Sequence, residues 1–318
     1  MALLLGILAV LSAGSAIISN WINRSSVFTT TTWSKPLYAP LANANWYVFG
    51  GNANGATYVY STDTSTWTTG TLPVSAAWGV AAYNGTRIVM FRKSNSSNVA
   101  LTTTNGTTWT SVTAVTVTAE DMIYDGTRFI VTNSGSTSQT LAYSTDGVTG
   151  WATVDSGQDT VGIGYDGTSR HIVTQGGTTS SARTTTTGIT VAGNWSTITL
   201  PVSDIWGQVY YAAGYWIVSP ANGSTQLYST NGTTFTSFTS GGNSWTWIYA
   251  NGNFYSFNRG ATTGSITLRY RANPSLAETN VSIFGATGSS GTNQPIGVAF
   301  GDNRMVVSTT GADLWVGV

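Results

Sequence analysis

The chain has no cysteine, and one histidine, His171, in 318 residues. Without cysteine there is no disulfide framework and no thiolate metal site. One histidine cannot build a histidine metal centre. In Arg170-His171-Ile172-Val173 it reads as a strand residue, not as the base of a Ser-His-Asp arrangement. Charge is scarce as well: 8% of residues carry it, against a typical ~25%. The formal net charge is zero, which argues against nucleic acid or an acidic membrane as partner. The two lysines, Lys35 and Lys93, are scattered, and the two glutamates are Glu120 and Glu278. There is no G-x-x-x-x-G-K-[ST] loop, and the glycines fall in turns and form no dinucleotide fingerprint. No long amphipathic stretch of 3.6-residue period follows residue 24, which leaves strands as the building material.

What is present is a repeat. Tyr60-Ser61-Thr62-Asp63-Thr64-Ser65-Thr66-Trp67 returns as Thr103-Thr104-Asn105-Gly106-Thr107-Thr108-Trp109. It returns again as Tyr143-Ser144-Thr145-Asp146-Gly147 with Trp151, and as Tyr228-Ser229-Thr230-Asn231-Gly232-Thr233-Thr234-Phe235. We call each copy a box. Neighbouring boxes lie about 40 residues apart, the period of one repeated supersecondary unit. The step from Asp146 to Asn231 is double, and a degenerate box at Thr187-Gly188 fills it. A sixth follows at Asn273, with Tyr270 before it.

A second marker runs out of phase: an apolar strand, a tight turn, then another apolar strand. Its turns are Asn84-Gly85, Asp125-Gly126, Asp166-Gly167, Ala213-Gly214 and Asn251-Gly252, with weaker copies at Asn43 and Asp302. Asn-Gly and Asp-Gly between β-type runs predict hairpins with φ > 0 at both turn residues. Seven hairpins and six boxes are reconciled if the N-terminal phrase Phe28-Thr29-Thr30-Thr31-Thr32-Trp33 completes a unit left open after Leu314-Trp315-Val316. Each unit then has four strands, at about 78–83, 87–92, 98–104 and 109–115 in the second. Four-stranded units at this period predict an all-β propeller of seven blades, closed by an N-terminal strand. Six blades, or an open solenoid, are the alternatives.

The boxes resemble the Asp-box (BNR) repeat of sialidase-like propellers, Ser-x-Asp-x-Gly-x-x-Trp. The residues that carry the likeness are Ser61, Asp63 and Trp67; Ser144, Asp146, Gly147 and Trp151; and Ser229, Asn231, Gly232 and Phe235. Asn105 and Trp109 belong to the same set. Asp or Asn in such a turn accepts backbone N–H groups two or three residues on, and the aromatic buries apolar area. Asn replaces Asp at 105 and 231, which keeps the turn and discards the carboxylate, so the boxes read as structural. The resemblance invites a search for sialidase chemistry. Arg87, Arg128 and Arg304 repeat after the hairpin turns and so form no converging triad. The composition and the degenerate boxes also resemble phage virion proteins and secreted bacterial proteins.

The domain plan is an apolar arm over 1–24 and a propeller over 25–318. Ala2–Ile22 carries no charge and is long enough to span a bilayer. A signal peptide lacks a basic n-region here. A membrane anchor has Ser and Gly in its second half, with Arg24 and Lys35 on the domain side. The remaining reading, adopted here, is an arm that docks into a partner.

Candidate chemistry is confined to loops before the innermost strands, at the mouth of the ring. Trp78, Trp206 and Trp245 could stack on sugar rings, or could plug the gaps between blades. Glu120, Asp121 and Asp204 could bind a glycan or supply the two carboxylates of a glycosidase. No catalytic residue, metal or cofactor is expected. The functional expectation is a non-enzymatic phage virion protein, in capsid decoration or the tail, attached through residues 1–24 to other virion or surface proteins and binding host glycans. A secreted or surface-anchored bacterial carbohydrate-binding propeller is the alternative, and a glycoside hydrolase the third reading. The location expected is virion or extracellular.

Overall fold

The repeat folds as seven four-stranded antiparallel sheets. The computed structural model describes residues 17–18, 20–24, 33–50, 55–93, 96–136, 138–221, 223–240, 244–258, 267–282, 295–309 and 313–318. Blade 1 comprises Leu37–Tyr38, Trp46–Phe49, Thr57–Ser61 and Thr68–Thr71. Blade 2 comprises Trp78–Tyr83, Ile88–Arg92, Ser97–Thr103 and Thr110–Val117, close to the sequence expectation. Blade 3 runs Met122–Tyr124, Phe129–Thr132, Leu141–Ser144 and Ala152–Val154. Blade 4 runs Thr160–Tyr165, His171–Gln175, Thr179–Thr185 and Ser196–Asp204. Blade 5 is Trp206–Ala212, Tyr215–Pro220, Thr225–Ser229 and Thr236–Thr239. Blade 6 is Ser244–Ala250, Asn253–Asn258, Thr267–Arg271 and Thr279–Ser282. Blade 7 takes Pro295–Gly301, Arg304–Thr309 and Leu314–Gly317 from the C-terminus and Trp21–Asn23 from the N-terminus.

From blade 2 to blade 7 the first strands of successive blades pack on one another, that of blade 7 meets that of blade 1, and blades 1 and 2 share a core cluster, so the sheets close into a propeller of seven blades. The second strands are buried on both faces, as in Trp46–Phe49, because a neighbouring blade covers each side. That is why they read as unbroken apolar runs. Outer strands such as Thr68–Thr71 are exposed and threonine-rich. The core is therefore split into clusters between blades. Trp78 of blade 2 packs with Tyr47 and Phe49 of blade 1, and Val306 and Leu314 of blade 7 with Trp46 and Val59 of blade 1.

An N-terminal strand closes blade 7, as expected, but it lies upstream of the phrase expected to supply it. Trp21, Ile22 and Asn23 pair with Gly317, Val316 and Trp315, upstream of the Phe28–Trp33 phrase. Residues 25–32 lie outside the described residues, and Trp33 bridges Gly50 on the way into blade 1. Sheet structure thus begins inside the 1–24 segment, and Ile18 is already buried. Residues 1–16 and 19 of the expected arm lie outside the described residues.

Antiparallel order puts the hairpin turns (strands one to two) and the box turns (three to four) at one end of the ring. The other loops form the opposite end, the mouth. Only some hairpins have the expected form. Ala213-Gly214, Asn251-Gly252 and Asp302-Asn303 have φ > 0 at both residues. At Asn84-Gly85 only the glycine does, with φ +97°. There Thr86-Arg87 lengthen the turn, and the Asn84 side chain accepts both their N–H groups, at 3.0 and 2.8 Å. A side chain replaces the second strained backbone position.

Candidate functional site

The box end of the ring is framework. In the first box Asp63 Oδ1 accepts the N–H groups of Ser65 and Thr66, both at 2.8 Å, while Ser61 Oγ accepts Thr64 N–H at 2.8 Å. Asp146 takes Val148 and Thr149 at 2.8 Å. Asn105 takes Thr107 and Thr108 at 3.0 and 2.8 Å, and Asn231 takes Thr233 and Thr234 at 2.9 Å. Backbone bonds from Thr66 and Ser65 hold the Asp63 carboxyl below its ordinary range. For Asp146, burial pushes upward, but the Thr149 and Val148 N–H groups outweigh it and lower the carboxyl strongly.

Each box aromatic packs on the preceding blade. Trp109 meets Phe49 edge-on at 5.5 Å and Trp151 meets Phe91 at 5.0 Å. Phe235 joins the cluster shared with blade 4, and Trp67 the one shared with blade 7. In blade 4 a 3₁₀ turn, Ala192–Asn194, displaces the aromatic to Trp195, which packs against Ile130, Leu141 and Val154 of blade 3. In blade 6 the box hydroxyl is replaced by Arg271. Its guanidinium lies 4.5 Å over the Phe238 ring and 3.2 Å from Glu278. His171 also belongs to this end. It stacks on Tyr165 at 4.4 Å and puts Nε2 3.3 Å from Asp125 Oδ2.

The mouth is built differently. In five blades the first strand slips register by one residue at its start, skipping Gly79, Val161, Gly207, Trp245 and Ile296. Such bulges re-aim side chains. Blades 1 and 3 have the shortest first strands, and the loops ahead of them carry Lys35 and Glu120-Asp121. These features enclose a cavity of about 520 Å³ to which all seven blades contribute. A narrower space of about 160 Å³, bordered by Leu37, Val80, Ala81, Met122 and Val298, lies further along the first strands. Lys35, Lys93, Glu120 and Asp121 border both spaces and form a charged collar between them.

Asp121 is half-buried and tied on both oxygens. Oδ1 accepts Met122 N–H at 3.0 Å, and Oδ2 accepts Ile163 N–H of blade 4 at 3.3 Å. Loss of solvent raises its carboxyl above the ordinary range, with Lys35 the chief opposing influence.

Of the residues singled out in the sequence, Glu120 and Asp121 do line the mouth. Asp204 is not part of the lining; its Oδ1 accepts the next residue's N–H, Ile205, at 2.7 Å. Trp78 and Trp206 border the cavity but are fully buried. Their indole N–H groups are spent on Val74 O and Thr179 O, at 2.8 and 2.9 Å. They offer no open face for stacking and instead plug the gaps between blades. Trp245 is one residue out of register with them, and its side chain lies outside the described residues. The lysines are the residues the sequence reading missed. Far apart in the chain, they meet at the mouth because Lys35 leads into a first strand and Lys93 follows the second strand of the next blade.

No family model matches the chain, and no curated protein matches it. Solved structures do. A streptogramin B lyase superposes with a TM-score of 0.71 at 9% identity, over 94% of this chain and 97% of that one. The Swd1 propeller domain of Myceliophteria thermophila gives 0.63 at 8%, over 93% and 99%. A GH74 enzyme from Niastella koreensis gives 0.59 at 17%, over 90% of this chain and 43% of that one. At these identities the likeness shows a shared β-propeller fold, on proteins whose functions differ.

Proposed function

We propose that the chain is a non-enzymatic, surface-displayed propeller that binds a small ligand in its mouth. The observation that carries this is the cavity itself. All seven blades contribute to it, and in a chain with 8% charge it gathers both lysines and one of the two glutamates. Lys35, Glu120 and Asp121 are half-buried there, and charge so placed costs desolvation, which favours recognition over solubility. Against catalysis stand the Asp121 oxygens, both committed to backbone N–H groups. His171 belongs to the box end, away from the mouth. Since Trp78 and Trp206 are closed off, a bound glycan is gripped by charge and hydrogen bonds, not by stacking on them.

The placement we propose is a phage virion or, alternatively, a bacterial cell surface, with the part of the 1–24 segment ahead of the blade 7 strand as the attachment. Support comes from the hydroxyl-rich, cysteine-free composition and from box turns whose hydrogen bonds fit an Asp-box repeat. Glycoside hydrolysis is the competing reading, favoured by one observation: a carboxyl displaced upward at Asp121 beside Glu120. Incubating the full chain with an oligosaccharide panel separates the two. Retention without new reducing ends is the expected result. Reducing-end release that Glu120→Gln abolishes would make the protein an enzyme.

A further inference from the structure

The mouth is lined unevenly. Around the axis, its charged groups come from blades 1 to 3, as Lys35, Lys93, Glu120 and Asp121. Trp33 and Trp78 also border it on that side but are buried; the smaller apolar groups come from blades 4, 5 and 7, as Val161, Ile205, Pro220, Ala221 and Ile296. Ile205 is 40% exposed, an apolar surface that a ligand would cover. Donors and acceptors are unequal too. Both Asp121 oxygens already accept N–H groups. Gln208 Oε1 accepts Trp247 N–H at 3.1 Å, so that side chain has its amide N–H pair to give. The collar adds the ammonium groups of Lys35 and Lys93 and the carboxylate of Glu120. Gly79 keeps the wall between Ser34 and Lys93 low: a Cβ there would come within 3.2 Å of Ser34 Cβ and 3.7 Å of Lys93 Cβ.

A cavity so lined complements a molecule with acceptors at one end and hydrocarbon at the other. We propose that the mouth selects small amphipathic anions, the anionic group at Lys35 and Lys93 and the apolar body against Ile205, Pro220, Ala221 and Ile296. This rests on the reading of the mouth as the ligand site. Burial of Asp121 works in the same direction. An arriving apolar body strips more water from it, favours its neutral form and weakens its competition with the ligand for Lys35.

The test is a fluorescence titration of the full chain with two probes that share a ring system. One is 1-anilinonaphthalene-8-sulfonate, and the other is its neutral parent, N-phenyl-1-naphthylamine. We expect one sulfonate bound per chain, about tenfold or more tighter than the neutral probe, as charge-assisted contacts require. Lys35→Gln with Lys93→Gln should weaken the sulfonate about tenfold while leaving the neutral probe within about twofold. Lys93→Gln alone, on an exposed side chain, should show part of the loss without any risk to folding. Ala221→Trp, which fills the apolar side, should block both probes. Equal affinity for the two probes, or a sulfonate affinity untouched by the lysine changes, overturns anion selection if Ala221→Trp still blocks binding. Binding that Ala221→Trp leaves intact lies outside the mouth and overturns the ligand-site reading with it.

Discussion

At the scale of single residues, the box shows how little chemistry a turn needs. One side-chain oxygen takes two N–H groups, and Asp and Asn do this equally at 146 and 231. Asp146→Ala should therefore destabilise the chain by about 1 kcal/mol, as two exposed N–H groups exchange a fixed acceptor for water, and Asp146→Asn by far less. Urea denaturation measures both. The two also differ with pH. The folded-state pKa of Asp146 is depressed, so its contribution is present above the unfolded carboxylate pKa and is lost as pH falls through the folded value. The gap between wild type and Asp146→Asn should be widest above about pH 5 and should close on acidification. Asp121 has the opposite sign. Its raised pKa means that the ionised form opposes folding, a penalty that fades as the pH drops.

At the scale of the element, stability resides between blades. Trp206 is fully buried among Ile172, Ala182 and Ile198 of blade 4 and Val209 of its own blade. Trp206→Ala should cost about 3–5 kcal/mol, seen as a lowered thermal midpoint. The same element explains what the sequence could and could not disclose. Hairpin and box spacing disclosed blade number and strand order, because turns depend on local residues. Closure by an N-terminal strand was legible too, but its residues were not, because Phe28–Trp33 mimics a box ending, whereas pairing with Leu314–Gly317 is a long-range matter that local pattern does not fix. The fourth box reads as degenerate because a 3₁₀ insertion moved its aromatic to Trp195. The sixth departs from the pattern because Arg271 stands where other boxes have a hydroxyl, its guanidinium over Phe238 of the preceding blade. The charged collar escaped for another reason. Lys35 and Lys93 stand at different strand positions, so neither repeats, and only the ring brings them together. The repeat register held the clue: both sit at mouth-side strand ends.

At the scale of the whole molecule, ring closure and the mouth are one construction, since a cavity shared by seven blades exists only if the ring is shut. A chain starting at Ser25 lacks Trp21–Asn23 and leaves the Leu314–Gly317 edge open. It should melt several degrees lower than one starting at Ile17, and light scattering should show it associating. Equal midpoints and masses would mean that the N-terminal strand is dispensable. The central claim, that the mouth is the ligand site, is tested most directly by hydrogen exchange on the full chain with and without saturating 1-anilinonaphthalene-8-sulfonate. Exchange should slow at the mouth ends of the first strands, around Trp78–Val80, Asp121–Met122 and Trp206–Gln208, with the box turns at Asp63–Trp67 and Asp146–Trp151 unchanged. Protection confined to the box turns, with the mouth unaffected, would contradict it.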